Sequence, residues 1–513
     1  MSWLLLALLP LLLIGTTLVV ADRASAVPAP EVVQGLSLLG AVAAAAGVVG
    51  TVWARPTLDV SWIPALGVRL DLAVDGISAP LLLLTAGAGL VATALRHTVS
   101  SGAPEEPDRT APLARTGVPG LATYHGCLQL VLLGALLTFL TRDAVVFFVG
   151  FELVLVPMWV LVSRHGDPGR AAARDGAALR FLLVTATGST LMLVGILAIG
   201  TATGSTDLDR WAQLAGSSMG SGQQAVIAGL MLLGLGLKVP IWPLHTWLPW
   251  VHSTAPTAGS VLLAAVLLKM GTYGIVRLVV PAVPDGFATL SPVLAACAVT
   301  GIVWAGLACL VERDLKRLIA WSSIAHLGFV VLGLATGTAT GLQAALFGNI
   351  AHGVISALLF VVVGGLKERW GSADLTVARA ALREVSPRLG FALVVGMAAS
   401  MGLPGLAGFW GEFAAVYSAW SPAADRPTGW FQLYAVIAAV GAAIAAAYVV
   451  RVLREVWMGE RTTPVVSDAD RLETVLVGVL ALAVLALGLY PGPVLELTAP
   501  VVDTLLAAGA GAR

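Results

Sequence analysis

Ionisable side chains set inside long apolar runs are the residues of this chain with chemistry to offer. Glu152 sits in 145–156, where every other residue is apolar or glycine. Lys238 follows Gly234-Leu235-Gly236-Leu237, and Lys269 lies deep in the apolar run 261–271. In the second half, Glu412 closes the glycine- and proline-interrupted run 401–412. His326 and His352 stand between these runs, after Ser322-Ser323-Ile324-Ala325 and Asn349-Ile350-Ala351. A charge at the centre of a bilayer helix costs roughly 2.5 to 3.5 kcal/mol, so each must face a partner or water. Simpler roles exist for each alone: a static ion pair for Glu152, a stem reaching to the interface for Lys238, ordinary packing for a histidine. Together at similar depth they read as a proton path, because histidine titrates near neutral pH and passes a proton either way.

Apolar windows of about 20 residues place spans at 3–20, 32–53, 76–95, 121–141, 144–163, 177–201, 223–249, 256–280, 289–311, 317–338, 341–366, 389–419, 429–453 and 473–491. The expectation is an all-α polytopic membrane helix bundle of about 14 transmembrane helices, with a short surface or partly inserted helix near 496–508. Pro240, Pro243, Pro249 and Pro256 interrupt the span that holds Lys238, with His245 and His252 between them as secondary candidates. Each proline removes a backbone donor, so this helix must break. Irregular backbone at membrane depth is tolerated where it is buried in protein or lines a wet cavity. A second interrupted span, at 401–412, matches it in the other half, and paired breaks of this kind point to inverted repeats.

About 20 basic residues fall in loops after odd-numbered spans, among them Arg96, Arg109, Arg115, Lys316, Arg379 and Arg461. About seven, including Arg277 and Arg513, fall after even-numbered spans or at the tail. The positive-inside rule then sets both termini on the outer side of a bacterial cytoplasmic (inner) membrane. The triplet Ala24-Ser25-Ala26 resembles a cleavage site, but a basic leader is missing and more spans follow at once, so 3–20 is read as the first membrane helix.

Hydrophobic residues make up 58% of the 513, charged residues 11%, and mean hydropathy is +0.92, which excludes an ordinary soluble protein. Twenty-nine basic residues balance 29 acidic ones, which removes the electrostatic case for nucleic acid. Cys127, Cys297 and Cys309 are scattered, so no disulfide, metal or cluster framework is expected.

The block Lys238-Val239-Pro240-Ile241-Trp242-Pro243-Leu244-His245-Thr246-Trp247-Leu248-Pro249, with His252, Ala255-Pro256-Thr257-Ala258-Gly259-Ser260, Leu268-Lys269-Met270-Gly271 and Asp314-Leu315-Lys316-Arg317, closely resembles the antiporter-like membrane subunits of respiratory complex I and its relatives. The resemblance runs from Trp62-Ile63-Pro64 to the last span. It implies two inverted five-helix repeats, at 121–280 and 289–455, between N-terminal helices in 1–120 and a last helix and tail in 456–513. It also implies a proton path through Glu152, Lys238, Lys269, His326 or His352, and Glu412. Glu412, where L-type and N-type members carry lysine, is similar to the M-type (chain 4) branch. Many relatives have an acidic residue where this chain has Trp250, so no proton-loading carboxylate is expected at that bend.

Proton translocation for an NADH:quinone oxidoreductase is thus the implied function. NADH, FMN, iron–sulfur clusters and quinone would belong to partner subunits, with no cofactor or metal here. Its partners would be other membrane subunits, including neighbouring antiporter-like ones, and the bilayer. Glu152 would act as a switch, holding a proton on Lys238 when near and releasing it when drawn away. The alternative is a subunit of a multisubunit cation/proton antiporter or a membrane-bound hydrogenase. A stand-alone solute transporter and a passive scaffold are further rivals.

Overall fold

A computed structural model describes residues 1–24, 28–95, 120–375, 381–458 and 467–511. Ser25 and Ala26 of the cleavage-like triplet lie outside these, as do Arg96, Arg109, Arg115, Arg379, Arg461 and Arg513 of the orientation count.

Hydrocarbon offers a peptide group no hydrogen-bond partner, so each apolar run closes its own bonds as a helix. In chain order these are α1 (Ser2–Arg23), α2 (Pro30–Ala54), α3 (Ser78–Ala94), α4 (Leu121–Leu140), α5 (Ala144–His165), α6 (Ala171–Thr203), the short α7 (Leu208–Ser218), α8 (Ser221–Lys238), α9 (Leu248–Thr254), α10 (Thr257–Val279), α11 (Pro284–Val311), α12 (Leu315–Ala335), α13 (Ala339–Trp370), α14 (Pro387–Ser400), α15 (Ala407–Trp420), α16 (Thr428–Trp457), α17 (Arg471–Leu489) and α18 (Gly492–Gly511). Among the described residues, 11 of these are long and apolar enough to cross a bilayer. With α3 and the two sequential pairs α8/α9 and α14/α15, the described residues make fourteen helical passes, the number hydropathy predicts. The core lies around α10, α12 and α13, where 94%, 89% and 89% of the apolar window is buried, against 17% in α17.

Two matched knots tie the bundle. Asp143 caps α5, its carboxylate accepting from Val145 N at 2.8 Å and Val146 N at 3.1 Å. The backbone there pairs with the chain leaving α6, Ala144 N donating to Thr206 O and Leu208 N to Arg142 O. Asp314 caps α12 in the same way, from Lys316 N at 2.9 Å and Arg317 N at 3.1 Å. Leu315 N then donates to Ala373 O and Leu375 N to Arg313 O, beyond the end of α13. Five crossings separate the knots (α5, α6, α8/α9, α10 and α11), an odd number. They therefore sit on opposite faces of the bundle, the relation that inverted five-helix repeats require.

One element lies outside the all-helical expectation. Strands β1 (Leu58–Ile63) and β2 (Val68–Leu72) form an antiparallel hairpin with Val60 opposite Leu70. Leu58-Asp59-Val60-Ser61 alternates apolar and polar, the period of a strand, but is too short to register in a 20-residue window. The hairpin is stapled to the α4–α5 turn: Arg142 N donates to Asp71 O and Ala73 N to Leu140 O, and the Asp143 carboxylate accepts from Arg69 N at 3.1 Å.

Both expected helix breaks are present. Between α8 and α9, residues 239–247 leave helical geometry, and the Trp242–Pro243 bond is cis. The Trp247 indole donates to Leu237 O at 2.9 Å, satisfying a carbonyl near the helix end. Between α14 and α15, Gly402 (φ +71°) and Gly405 (φ +90°) turn the chain through left-handed conformations open to glycine. Small residues let neighbours approach each broken helix closely. A Cβ on Gly188 of α6 would lie 2.7 Å from Gly234 O of α8, and one on Gly411 of α15 would lie 2.8 Å from Gly348 Cα of α13.

Candidate functional site

Lys269 is completely buried in α10. The segment Leu263–Leu267 is a π-helical turn, a form that recurs at functional sites, and Ala264 O inside it accepts from Lys269 Nζ at 2.5 Å. The same Nζ lies 2.5 Å from His352 Nδ1 of α13. One hydrogen bond joins the two nitrogens, and which of them donates depends on the His352 tautomer and on where the proton sits. His352 Nε2 is buried with no hydrogen-bond partner among the described residues.

The His326 ring, from α12, stands with its centroid 5.8 Å from that of His352. His326 Nδ1 lies 2.7 Å from Glu412 Oε1 of α15, and its Nε2 lies 2.8 Å from Ser400 Oγ at the end of α14. A cavity of about 20 Å³, lined by His326, Gly348, His352, Gly408, Gly411 and Glu412, lies at this junction and has room for one water. Four of the six residues singled out in the sequence thus stand in a row, Lys269, His352, His326 and Glu412. Four helices, α10, α13, α12 and α15, bring them together.

Glu152 and Lys238 form a separate neighbourhood. Lys238 is 2% exposed, and its Nζ lies 4.6 Å from the centroid of the Phe151 ring. Glu152, half-buried next to Phe151, acts on Lys238 electrostatically but makes no ion pair with it within 4 Å among the described residues. The static ion pair considered from sequence is therefore not made. Of the secondary candidates, His245 packs its ring 5.5 Å from Trp321. His252 stacks on Phe360 at 4.5 Å, fully buried, with neither ring nitrogen hydrogen-bonded among the described residues.

Many of the cations read as loop residues lie in helices, and two of them bear on the site. Arg277 lies in the last turn of α10, pairs with Asp75 and donates from Nε to Tyr273 Oη at 3.2 Å. Lys316 is 2% exposed, and its Nζ donates to Ala255 O at 2.5 Å. The Asp314 cap starts α12 at Leu315, and that signal was available to move Lys316 out of the loop. Ser400 carried no comparable mark in the sequence beyond its place before the Met401-Gly402 break. Trp250 is 41% exposed and lies between the guanidinium groups of Arg180 (5.1 Å) and Arg317 (4.9 Å). No group of three His, Cys, Asp or Glu side chains able to hold a metal occurs among the described residues.

Titratable groups meeting between helix breaks, in a bundle of this shape, place the chain among antiporter-like polytopic membrane proteins. Residues 141–440 match the family described as NADH:quinone oxidoreductase/Mrp antiporter, TM. NAD(P)H-quinone oxidoreductase chain 4 1 of Synechococcus sp. (strain JA-3-3Ab) is 36% identical over 438 residues, 84% of this chain and 78% of that protein. NADH-quinone oxidoreductase subunit M of Rickettsia conorii (strain ATCC VR-613 / Malish 7) is 31% identical, over 87% of this chain and 85% of that one. A chain in the structure of respiratory complex I from Thermus thermophilus with bound NADH superposes with TM-score 0.82 at 25% identity, covering 99% of each chain. A chain of the Mrp complex from Dietzia sp. DQ12-45-1b shares the fold, with TM-score 0.81 at 20% identity and 99% of each chain covered. The chain belongs to the NADH:quinone oxidoreductase/Mrp antiporter membrane-subunit family.

Proposed function

We propose that this chain translocates protons as an antiporter-like membrane subunit of NADH:quinone oxidoreductase, through a path containing Glu152, Lys238, Lys269, His352, His326 and Glu412. The observation that carries the reading is the row from Lys269 through His352 and His326 to Glu412. Each member exchanges one proton with the next without redox chemistry. Glu152 and Lys238 act as the control pair: charged Glu152 stabilises the ammonium at Lys238, and neutral Glu152 frees it to push charge onward. The gap between them allows this coupling to vary with small helix shifts. Moving one charge against 100 mV takes about 2.3 kcal/mol, within reach of buried charge interactions.

In this reading residues 121–280 and 289–455 are the two repeats, both termini face outward, and NADH, FMN, iron–sulfur clusters and quinone reside in partner subunits. The relatives named for NAD(P)H- or NADH-quinone oxidoreductase, at 31 to 36% identity, favour this assembly over a cation antiporter. The test is to place Lys269→Met or Glu412→Gln in the assembled complex and measure protons pumped per NADH oxidised in vesicles. Reduced pumping is expected; unchanged pumping in both variants overturns the reading.

A further inference from the structure

Helices α1 to α3 precede the matched stretch 141–440 and share between them a groove that the row of titratable groups does not touch. We infer that this groove binds one phospholipid, with an acyl chain lying along α2 and the phosphate meeting Arg55. The inference stands apart from the proton-translocating reading and does not depend on it.

Val42, Ala46, Val49 and Trp53 recur at the spacing of one helix face and form the floor of the groove on α2. Leu90 of α3 and the Trp3 ring of α1 form its walls, and the space between them is about 630 Å³. Apart from the indole N–H groups the lining is apolar. Val42 and Val49 are 50% and 57% exposed, so no other described residue fills the hollow. Small residues make it: the Trp3 ring rests directly on Gly50, where a Cβ would collide with it.

Depth identifies the occupant. Val42 and Trp53 are eleven residues apart, which at 1.5 Å per residue makes the floor about 16 Å long. That is one leaflet of a hydrocarbon core about 30 Å thick. A neighbouring transmembrane helix would need a seat about 20 residues long, through both leaflets, whereas an acyl chain needs one. A hollow left empty in hydrocarbon forfeits dispersion contacts along its whole lining, so a chain of this size is held there.

The end of the groove at Trp3 and Trp53 suits a headgroup. Helix α1 begins and α2 ends there, and indole rings favour the boundary between hydrocarbon and water. Arg55 follows Trp53 by two residues, turns the chain out of α2 in a left-handed conformation (φ +45°) and is exposed. Neither indole N–H nor the Arg55 guanidinium has a hydrogen-bond partner among the described residues. The next cation along the chain, Arg69, is taken by Asp59 at 2.7 Å. The donors at this end are thus free for phosphate and ester oxygens, and a guanidinium matches phosphate geometry.

The test uses the assembled complex in vesicles containing phosphatidylglycerol with a photoactivatable group halfway along an acyl chain, crosslinks being mapped by mass spectrometry. Labelling is expected to concentrate in 42–53 over Leu5 and Leu9, which are exposed on α1 beside it. Ala46→Phe fills the groove and should cut that labelling several-fold with subunit composition intact. Unlabelled phosphatidylglycerol should compete about fivefold better than phosphatidylcholine, the worth of one cation at an anionic surface, and Arg55→Gln should abolish the difference. R55Q alters an exposed side chain, so it tests the site even where A46F disturbs assembly. Labelling of 42–53 no heavier than that of Leu5 and Leu9, or unchanged in A46F, would mean bulk lipid only and overturn the site. A preference that survives R55Q overturns the assignment of Arg55 to the phosphate. Crosslinks from α2 to a neighbouring subunit in place of lipid overturn the proposal as a whole.

Discussion

Between His326 and Glu412 a proton has two acceptors 2.7 Å apart, and the second nitrogen of His326 is held by Ser400. Ser400→Ala leaves that nitrogen without its hydroxyl partner. Since one such bond is worth about 0.5 to 1.5 kcal/mol, pumping rate should fall by less than about tenfold while assembly persists, as measured by acidification in vesicles. Gly402 is more constrained: its φ is +71°, and a Cβ there would lie 2.7 Å from Glu412 Oε2. Gly402→Ala should therefore displace the carboxylate and cost about 1 to 2 kcal/mol of backbone strain, seen as lower pumping together with a lower melting temperature of the purified complex.

Helix ends and helix contacts carry their own consequences. Asp143 and Asp314 each cap a helix through two backbone amides, and Asp314 also accepts from Arg170 at 2.9 Å. Asp143→Ala and Asp314→Ala should each cost about 1 kcal/mol from the lost cap and lower the melting temperature of the complex, D143A also releasing Arg69 N and the Thr206 hydroxyl and D314A also releasing Arg170. At the α6–α8 crossing, Gly188→Val should force apart two backbones that now touch, reducing the amount of assembled complex recovered. Comparable recovery for G188V and the unsubstituted chain would show that the close approach is dispensable.

Across the bundle, the α5–α6 loop laces the first half of the chain to the second. Asp167, in the α5–α6 loop, accepts from Lys367 of α13 at 2.5 Å, and its backbone N–H donates to Thr254 O at the end of α9. Partial burial pushes the Asp167 carboxyl up, but the Lys367 hydrogen bond and charge outweigh it and hold it below its ordinary value of 3.8. A depressed carboxyl pKa contributes stability that is fully present above the unfolded value and is lost as pH falls through the folded one. Thermal stability should thus drop below about pH 4 by a margin that Asp167→Asn removes, in melts run between about pH 3 and 6. An identical acid limb in D167N would show that the lace does not bear on stability.

The crossings, the two helix breaks and the intramembrane Lys and Glu residues were all legible in the residue order, because their causes are local. An apolar run in oil must be a helix, and proline or paired glycine must interrupt it. The short β1–β2 hairpin was missed because its alternation is shorter than the window that finds a span. Partner choice was not legible either. Lys269 meets His352 across 83 residues and His326 meets Glu412 across 86, while Glu152 stops short of Lys238. Lys316, which looks like a loop cation, is buried against Ala255. Such contacts depend on how far each helix is rotated and slid against its neighbours. Packing among many helices sets those two quantities, and hydropathy along one of them does not encode them.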